Sequence, residues 1–245
     1  MQIKLIVEYE GTAYCGWQVQ PNGPTVQAAL EAAAQRMFGE STRMAAAGRT
    51  DAGVHALGQV VCFRLERAQV DVEEVRRGLD ALTPDDIVVR DAAVVADDFD
   101  PRRSARRRTY VYRIWNEPAP SVFWRRWSWH ERRRLDVEAM SSAAAALLGE
   151  HDFTSFRAAD CDAENPVRRV YVSDLGANEG LITLTITATA FLRHMVRNIV
   201  GTLAEVGLGQ RPGAEMSALL ARRDRTLAGA TAPAKGLCLV RVDYD

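Results

Sequence analysis

The sequence predicts an α+β protein in which one β-α-β-β-α-β unit is used twice, the halves packed around a central, mainly antiparallel sheet with a cleft between them. Three observations predict it. Segments of period 2 and of period 3.6 alternate along the chain, and the order found in the first half recurs in the second. A chain of 245 residues, 47% of them hydrophobic, can bury a substantial core as one large domain or two ordinary ones.

The elements follow in order. "IKLIVEYE" alternates as a strand, "TVQAALEAAAQRMF" is an amphipathic helix opened by Thr25, and "QVVCFRL" is a second strand. "VDVEEVRRGLDAL" reads as a helix and "DIVVRDAAVV" as the strand that closes the half. In the second half "TYVYRIWN" is a strand and "LDVEAMSSAAAALLG" a helix; "RRVYVSDLGA" and "GLITLTITATA" are paired strands turned at "NEG". "FLRHMVRNIVGTLAEVG" reads as a helix and "GLCLVRVDY" as the final strand. This is ferredoxin-like topology, used also by RNA-recognition modules, and a fold by itself assigns no function. Residues 1–98 form the first half, 99–134 a connecting segment that includes the first strand of the second half, and 135–245 the remainder.

No apolar run approaches the length of a membrane span, and "MQIKLIVEYE" lacks the features of a secretory signal, so a cytoplasmic protein is expected. Cys15, Cys62, Cys161 and Cys238 lie far apart without a C-x-x-C, and His55, His130, His151 and His194 show no ligand spacing. Neither a disulfide framework nor a metal site is indicated. Any catalysis falls to ordinary side chains.

The net charge of −1 conceals an asymmetry. Residues 1–98 carry 9 basic and 15 acidic side chains, 99–134 carry 11 and 3, and 135–245 carry 11 and 14. Within the basic stripe, "RRSARRRTYVYR" and "FWRRWSWHERRR" interleave arginine with aromatics, Trp115, Trp124, Trp127 and Trp129 among them. Guanidinium forks suit phosphates and aromatic faces suit unstacked bases, which makes single-stranded or looped RNA a candidate partner. A solvated basic face with some cation–π packing explains the same charge.

"AAAGRTDAGVHALGQVV", residues 45–61, sets Asp51 among small residues, two positions after Arg49. An ordinary Asx turn accounts for Asp51 and Gly53; a carboxylate that must be approached closely by a large substrate accounts for them too, since Gly48, Ala52 and Gly53 leave room near the backbone.

Five blocks in order, "YEGTAYCGWQ", "AGRTDAGVHALGQVV", "GEHDFTSF", "FLRHMVRNIVGTLAEVG" and "DRTLAGATAPAKGLCLV", resemble the tRNA pseudouridine synthase A family from about Ile3 to Tyr244. The resemblance implies isomerisation of uridine to pseudouridine at positions 38, 39 and 40 of the tRNA anticodon stem-loop, a homodimer and no cofactor. It makes Asp51 the catalytic carboxylate, either as nucleophile at C1′ or C6 or as a base toward the C2′ proton. Arg197, in the "MVRNIVG" block, would pair with that aspartate and favour its charged form. Arg49 would help place the flipped base, Tyr110 would stack on it, and Leu237 would form an apolar wall.

Alternation alone puts Tyr110 and Tyr112 on one face of their strand, as core or as platform; only the resemblance selects Tyr110. Arg107, Arg108, Arg125 and Arg126 are candidates for tRNA phosphates, with Arg132 and Arg133 in the same stripe. His55 and Gln59 are expected to support the loop by hydrogen bonds. Val111 stands where the family has arginine, Asp100 and Pro101 replace a Phe-His-Ala-Arg pattern, and Cys238 replaces an aromatic. Two other classes fit parts of the pattern. One is a non-catalytic RNA-binding module or tRNA chaperone of the same fold, from which the intact Gly48-Arg49-Thr50-Asp51, Tyr110 and Arg197 distinguish an enzyme. The other is a nucleoside or glycoside hydrolase using paired carboxylates, for which the motif offers one acid and no obvious second.

Overall fold

The computed structural model describes residues 1–66 and 69–245, which fall into two compact units: Met1–Arg106 with Leu239–Asp245, and Arg107–Cys238. Among the described residues there are ten strands, paired mainly antiparallel, and five α-helices.

The first unit starts with β1 (Gln2–Tyr9), whose strict alternation buries Ile3, Leu5, Val7 and Tyr9 on one face. Helix α1 (Val26–Phe38) starts where Thr25 Oγ1 accepts the Ala28 N–H at 3.3 Å and ends at Gly39, whose φ of 74° suits only glycine well. After β2 (Ala45–Ala46) comes β3 (His55–Arg64), buried on both faces over most of its length. Helix α2 (Val72–Leu82) is capped by Asp71, which accepts from Glu73 and Glu74, and presents Val75 and Leu79 to the core. Strand β4 (Ile87–Val95) completes this part of the chain. β1 lies antiparallel between β4 and β3, and β2 pairs antiparallel with β3.

The end of β1 matters most for the site. Val7 pairs with Gln59, but Tyr9 pairs with Ala56, so β3 carries an extra residue there. A β-bulge of this kind re-aims side chains next to a functional loop.

The second unit opens with β5 (Arg107–Trp115), to which the two-residue β6 (Trp129–His130) adds in parallel. Helix α3 (Val137–Ala145) is capped by Asp136. Strand β7 (Gly149–Asp152) then pairs with the long β8 (Val167–Asn178), which pairs with β9 (Leu181–Ala188), and β9 with β5. The β8–β9 connection is Glu179-Gly180 with both φ positive, 47° and 78°, as a two-residue hairpin demands. Helix α4 (Met195–Gly207) is buried along almost its whole length, and α5 (Glu215–Arg222) is short. The last strand, β10 (Leu237–Asp243), lies beside β3 in the first unit from Leu239 onward.

Three boundaries differ from the sequence reading: β3 begins at His55 rather than Gln59, α3 ends at Ala145 rather than Gly149, and α4 begins late. The apolar spacing of Leu192, Met195, Val196 and Ile199 suggests a helix from Phe191, yet α4 begins at Met195. His194 before it is left-handed (φ 61°), and the Arg193 carbonyl accepts the Ala158 N–H instead of an intrahelical one.

Candidate active site

The Asp51 loop is held from several sides. Asp51 is half-buried, and its carbonyl closes a tight turn with the Val54 N–H at 3.1 Å. Gly53 takes a φ of 77°, and its N–H donates to the Tyr14 carbonyl. The Thr50 carbonyl accepts the Trp17 N–H at 3.0 Å. Gly16 (φ 92°) passes so close that a Cβ there would lie 2.5 Å from the Thr50 carbonyl oxygen. The "YEGTAYCGWQ" and "AGRTDAGVHA" blocks are therefore one packed unit, in which glycine allows two backbones to touch. A Cβ on Gly11 would be driven into the Val54 carbonyl in the same way.

His55 and Gln59 brace this loop. His55, 5% exposed, accepts the Gly11 N–H on Nδ1 at 3.0 Å, so its ring serves there as an acceptor. Gln59 Nε2 donates to the Gly48 carbonyl at 2.7 Å. Arg49 is exposed on the same loop. Thr50 and Tyr9, to which the sequence reading gave no role, join the support: their hydroxyls are 2.8 Å apart and buried. The signal in the sequence was the tyrosine ending an otherwise aliphatic inward face.

Arg197, Tyr110 and Leu237 belong to the second unit. Arg197 lies in the first turn of α4; its Nε donates to the Ala232 carbonyl at 2.8 Å, while its own carbonyl accepts the Ala232 N–H at 3.1 Å. The side chain is thus oriented by the 224–236 segment. Its neighbour Asn198, fully buried, donates to the Phe156 carbonyl at 2.8 Å and accepts from Thr231 Oγ1 at 2.7 Å and Arg225 Nη2 at 3.1 Å. One side chain thereby ties the "GEHDFTSF" block, α4 and the "DRTLAGATAPAKG" block together. The sequence cue is a polar pair, Asn198 and Thr202, at helical spacing beside Gly201.

Tyr110 is 8% exposed and meets Phe191 edge-on, ring centroids 5.0 Å apart. Tyr112 is fully buried and donates to the Pro233 carbonyl at 2.7 Å; burial pushes its phenol well above its ordinary range, with the Arg197 charge opposing. The two tyrosines of β5 therefore differ in kind, and Tyr112 is committed to the core. Leu237, 6% exposed, starts β10. Cys238 is buried beside it.

The basic stripe is not uniform. Arg108 is 8% exposed and donates to the Thr189 carbonyl at 2.7 Å, and Arg107 lies over the Tyr171 ring at 4.5 Å. Arg125, Arg126 and Arg132 are exposed. Arg133 is bound by Glu131 through two bonds of 2.9 Å, and that hydrogen bonding holds the Glu131 carboxyl below its usual range. Asp100, one of the departures from the family pattern, accepts the Arg103 and Arg102 backbone N–H groups, which lowers its pKa and gives it a turn-forming role. Among the described residues no group of three or more His, Cys, Asp or Glu is placed to hold a metal ion.

Residues 5–102 and 143–245 match the family model described as tRNA pseudouridine synthase. Curated relatives carrying the name tRNA pseudouridine synthase A align over nearly the whole chain. The Myxococcus xanthus protein is 49% identical over 244 residues, covering 99% of this chain and 92% of that one. Those of Citrifermentans bemidjiense and Moorella thermoacetica are 47% and 48% identical over 99% of this chain and 97% and 99% of theirs.

Proposed function

This chain belongs to the tRNA pseudouridine synthase family, a family of isomerases, and we propose that it acts on uridines 38, 39 and 40 of the tRNA anticodon stem-loop with Asp51 as the nucleophile. The observation that carries the reading is the Asp51 loop: a carboxylate on a backbone fixed at Gly48, Thr50, Asp51 and Gly53, with small residues around it. The reaction breaks the bond from ribose C1′ to uracil N1, turns the base, forms the bond from C1′ to C5, and releases the C5 proton while N1 takes one up, so that the product is an isomer of the substrate. No redox equivalent is consumed. An ionised carboxylate serves by attack at C1′ or C6 or by removing the C2′ proton. Arg197 is assigned as the cationic partner of the reacting carboxylate. Arg49 and Tyr110 hold the base turned out of its stack, and Leu237 walls it. Incubation with tRNA transcripts followed by mapping of pseudouridine tests the proposal: product at 38, 39 or 40 is expected, and product elsewhere or none overturns it.

Each unit, on this reading, is a ferredoxin-like half. In the first, the order β4-β1-β3 with β2 on β3 supports it; in the second, β5-β9-β8 does. Along the sequence the first half runs over residues 1–98, the basic connecting segment with β5 over 99–134 and the remainder over 135–245, of which Leu239 onward belongs to the first unit. Among the described residues no helix is long and apolar enough to cross a membrane, and a tRNA substrate supports the reading of a cytoplasmic enzyme.

Phosphate contacts are assigned first to Arg107, Arg125, Arg126 and Arg132; Arg108, buried and donating to the Thr189 carbonyl, has less of its guanidinium to offer a phosphate. The ion pair of Arg133 with Glu131 makes it a weaker phosphate ligand than its neighbours. Replacing Arg125, Arg126 and Arg132 by Ala is expected to weaken tRNA binding and to flatten log Kd against log salt by about 0.7–0.9 for each phosphate that is no longer neutralised. An unchanged slope would show these arginines to be solvated only. Val122, Phe123 and Trp127, 75%, 78% and 42% exposed, are large apolar side chains in the same stretch of chain, and their exposure supports a homodimer contact there. Light scattering at micromolar concentration is expected to give twice the chain mass; a monomer active at full rate would refute the dimer.

A further inference from the structure

Beneath the Asp51 loop lies a buried polar cluster drawn from three places in the sequence. Tyr9 ends β1 and is 3% exposed, Gln59 on β3 is 0% exposed, and Thr50 is 6% exposed. Gln59 Nε2 donates to the Gly48 carbonyl at 2.7 Å and to Tyr9 Oη at 3.4 Å. With its oxygen accepting from Gln59, the Tyr9 phenol has its own proton to give to Thr50 Oγ1, 2.8 Å away. Both contacts end on Gly48 and Thr50, close before Asp51 on the same short stretch of chain.

A core built for stability alone has no use for these groups. Apolar side chains would fill the same space without the cost of desolvating an amide and two hydroxyls. The cluster is also incompletely satisfied, because Gln59 Oε1 has no hydrogen-bond partner among the described residues. What the arrangement does achieve is directional: hydrogen bonds fix the Gly48 carbonyl and the Thr50 side chain relative to two strands of a sheet, and the bulge between Val7 and Tyr9 brings those strands' side chains to the loop. Reactive groups need placement within about 0.5 Å, and an error of about 1 Å costs on the order of 100-fold in rate.

We propose that Tyr9 and Gln59 are positioning residues for Asp51, acting through Thr50 and Gly48 without touching the RNA. The inference rests on the reading of Asp51 as the reacting carboxylate. It is tested by single-turnover pseudouridine formation at saturating enzyme, alongside tRNA affinity and Tm, for Tyr9→Phe, Gln59→Met, Thr50→Val and Thr50→Ser. Tyr9→Phe and Thr50→Val are each expected to slow the rate constant about 10- to 100-fold with tRNA Kd within about twofold of the parent. Thr50→Ser, which keeps the hydroxyl, restores most of the rate. The double variant Tyr9→Phe/Thr50→Val is no slower than the worse single one, because both cut the same bond.

Tyr9→Phe removes one oxygen from a ring that keeps its place against Trp17, 6.4 Å between centroids, so it decides the matter even where Thr50→Val or Gln59→Met does not fold. A parental rate for Tyr9→Phe, independent multiplication in the double variant, or a rate loss that merely follows lost Tm or lost affinity overturns the proposal. Activity in Asp51→Asn would instead overturn the reading beneath it. An inactive Asp51→Asn beside a fully active Tyr9→Phe overturns the positioning role alone.

Discussion

Asp51→Asn is expected to give a folded protein that binds tRNA and forms pseudouridine at least about 10⁴-fold more slowly than the parent. The amide keeps the volume of the carboxylate but has no charge with which to attack carbon and almost no basicity. The backbone contacts of the loop are untouched by the change. The turn is made by the Asp51 carbonyl and the Val54 N–H, and its neighbours are held through Gly48, Thr50 and Gly53. Release of tritium from 5-labelled uridine in tRNA reads the chemistry directly, since the C5 proton leaves only when the new glycosidic bond is completed. Asp51→Ala is the companion variant, because it cannot revert to aspartate by deamidation. Turnover of either within about tenfold of the parent would remove Asp51 from the chemistry.

That Asp51 could be singled out at all follows from its bare surroundings: nine small or polar positions in a chain whose other segments alternate with apolar residues are visible without coordinates. The supports of the loop were less visible. Gln59 and His55 follow Asp51 closely and could be expected to brace it, whereas Tyr9, beside a strand bulge, and Gly16 and Trp17, through backbone contacts, reach it from more than thirty residues earlier and leave no periodic trace. The long elements show the same division. Strand β1 and helix α1 announce themselves by alternation and by the Thr25 cap, and the Glu179-Gly180 turn by its glycine. Strands β2 and β6 have two residues each and β7 four, too few for a period to exist, and the eight-residue α5 has no side-chain cap to mark its start. In the basic stripe, composition counted Arg133 and Arg108 with their neighbours; the Glu131 ion pair and the Thr189 carbonyl separate them. Charge is legible in a sequence, but the partner that neutralises it comes from folding.

The second large effect is expected at Gly201, in the middle of α4. On an isolated helix Gly→Ala stabilises by about 1 kcal/mol; here a Cβ would be driven into the Ala230 carbonyl oxygen, a backbone atom that cannot rotate away. The segment it would displace is pinned to α4 on both sides. The Gly229 N–H donates to Thr202 Oγ1 at 2.9 Å, and Arg197 exchanges hydrogen bonds with Ala232 through Nε and its carbonyl. Overpacking costs about 1–3 kcal/mol where side chains can adjust, and a rigid carbonyl places this site at the upper end. A net loss of about 2 kcal/mol corresponds to a fall in Tm of roughly 4–8 °C for a chain of this size. The loss is not confined to stability: a helix and a segment forced apart release the Arg197 side chain from Ala232, so the rate on bound tRNA is expected to fall as well. Gly176→Ala is the control, since that strand glycine has ordinary φ and no atom within 4 Å of the added methyl, and it should leave both Tm and rate unchanged. Calorimetry and single-turnover assays on the two variants check the claim. A Gly201→Ala protein melting within a degree of the parent would mean that the α4 contact is looser than the close approach of its backbone to Ala230 indicates.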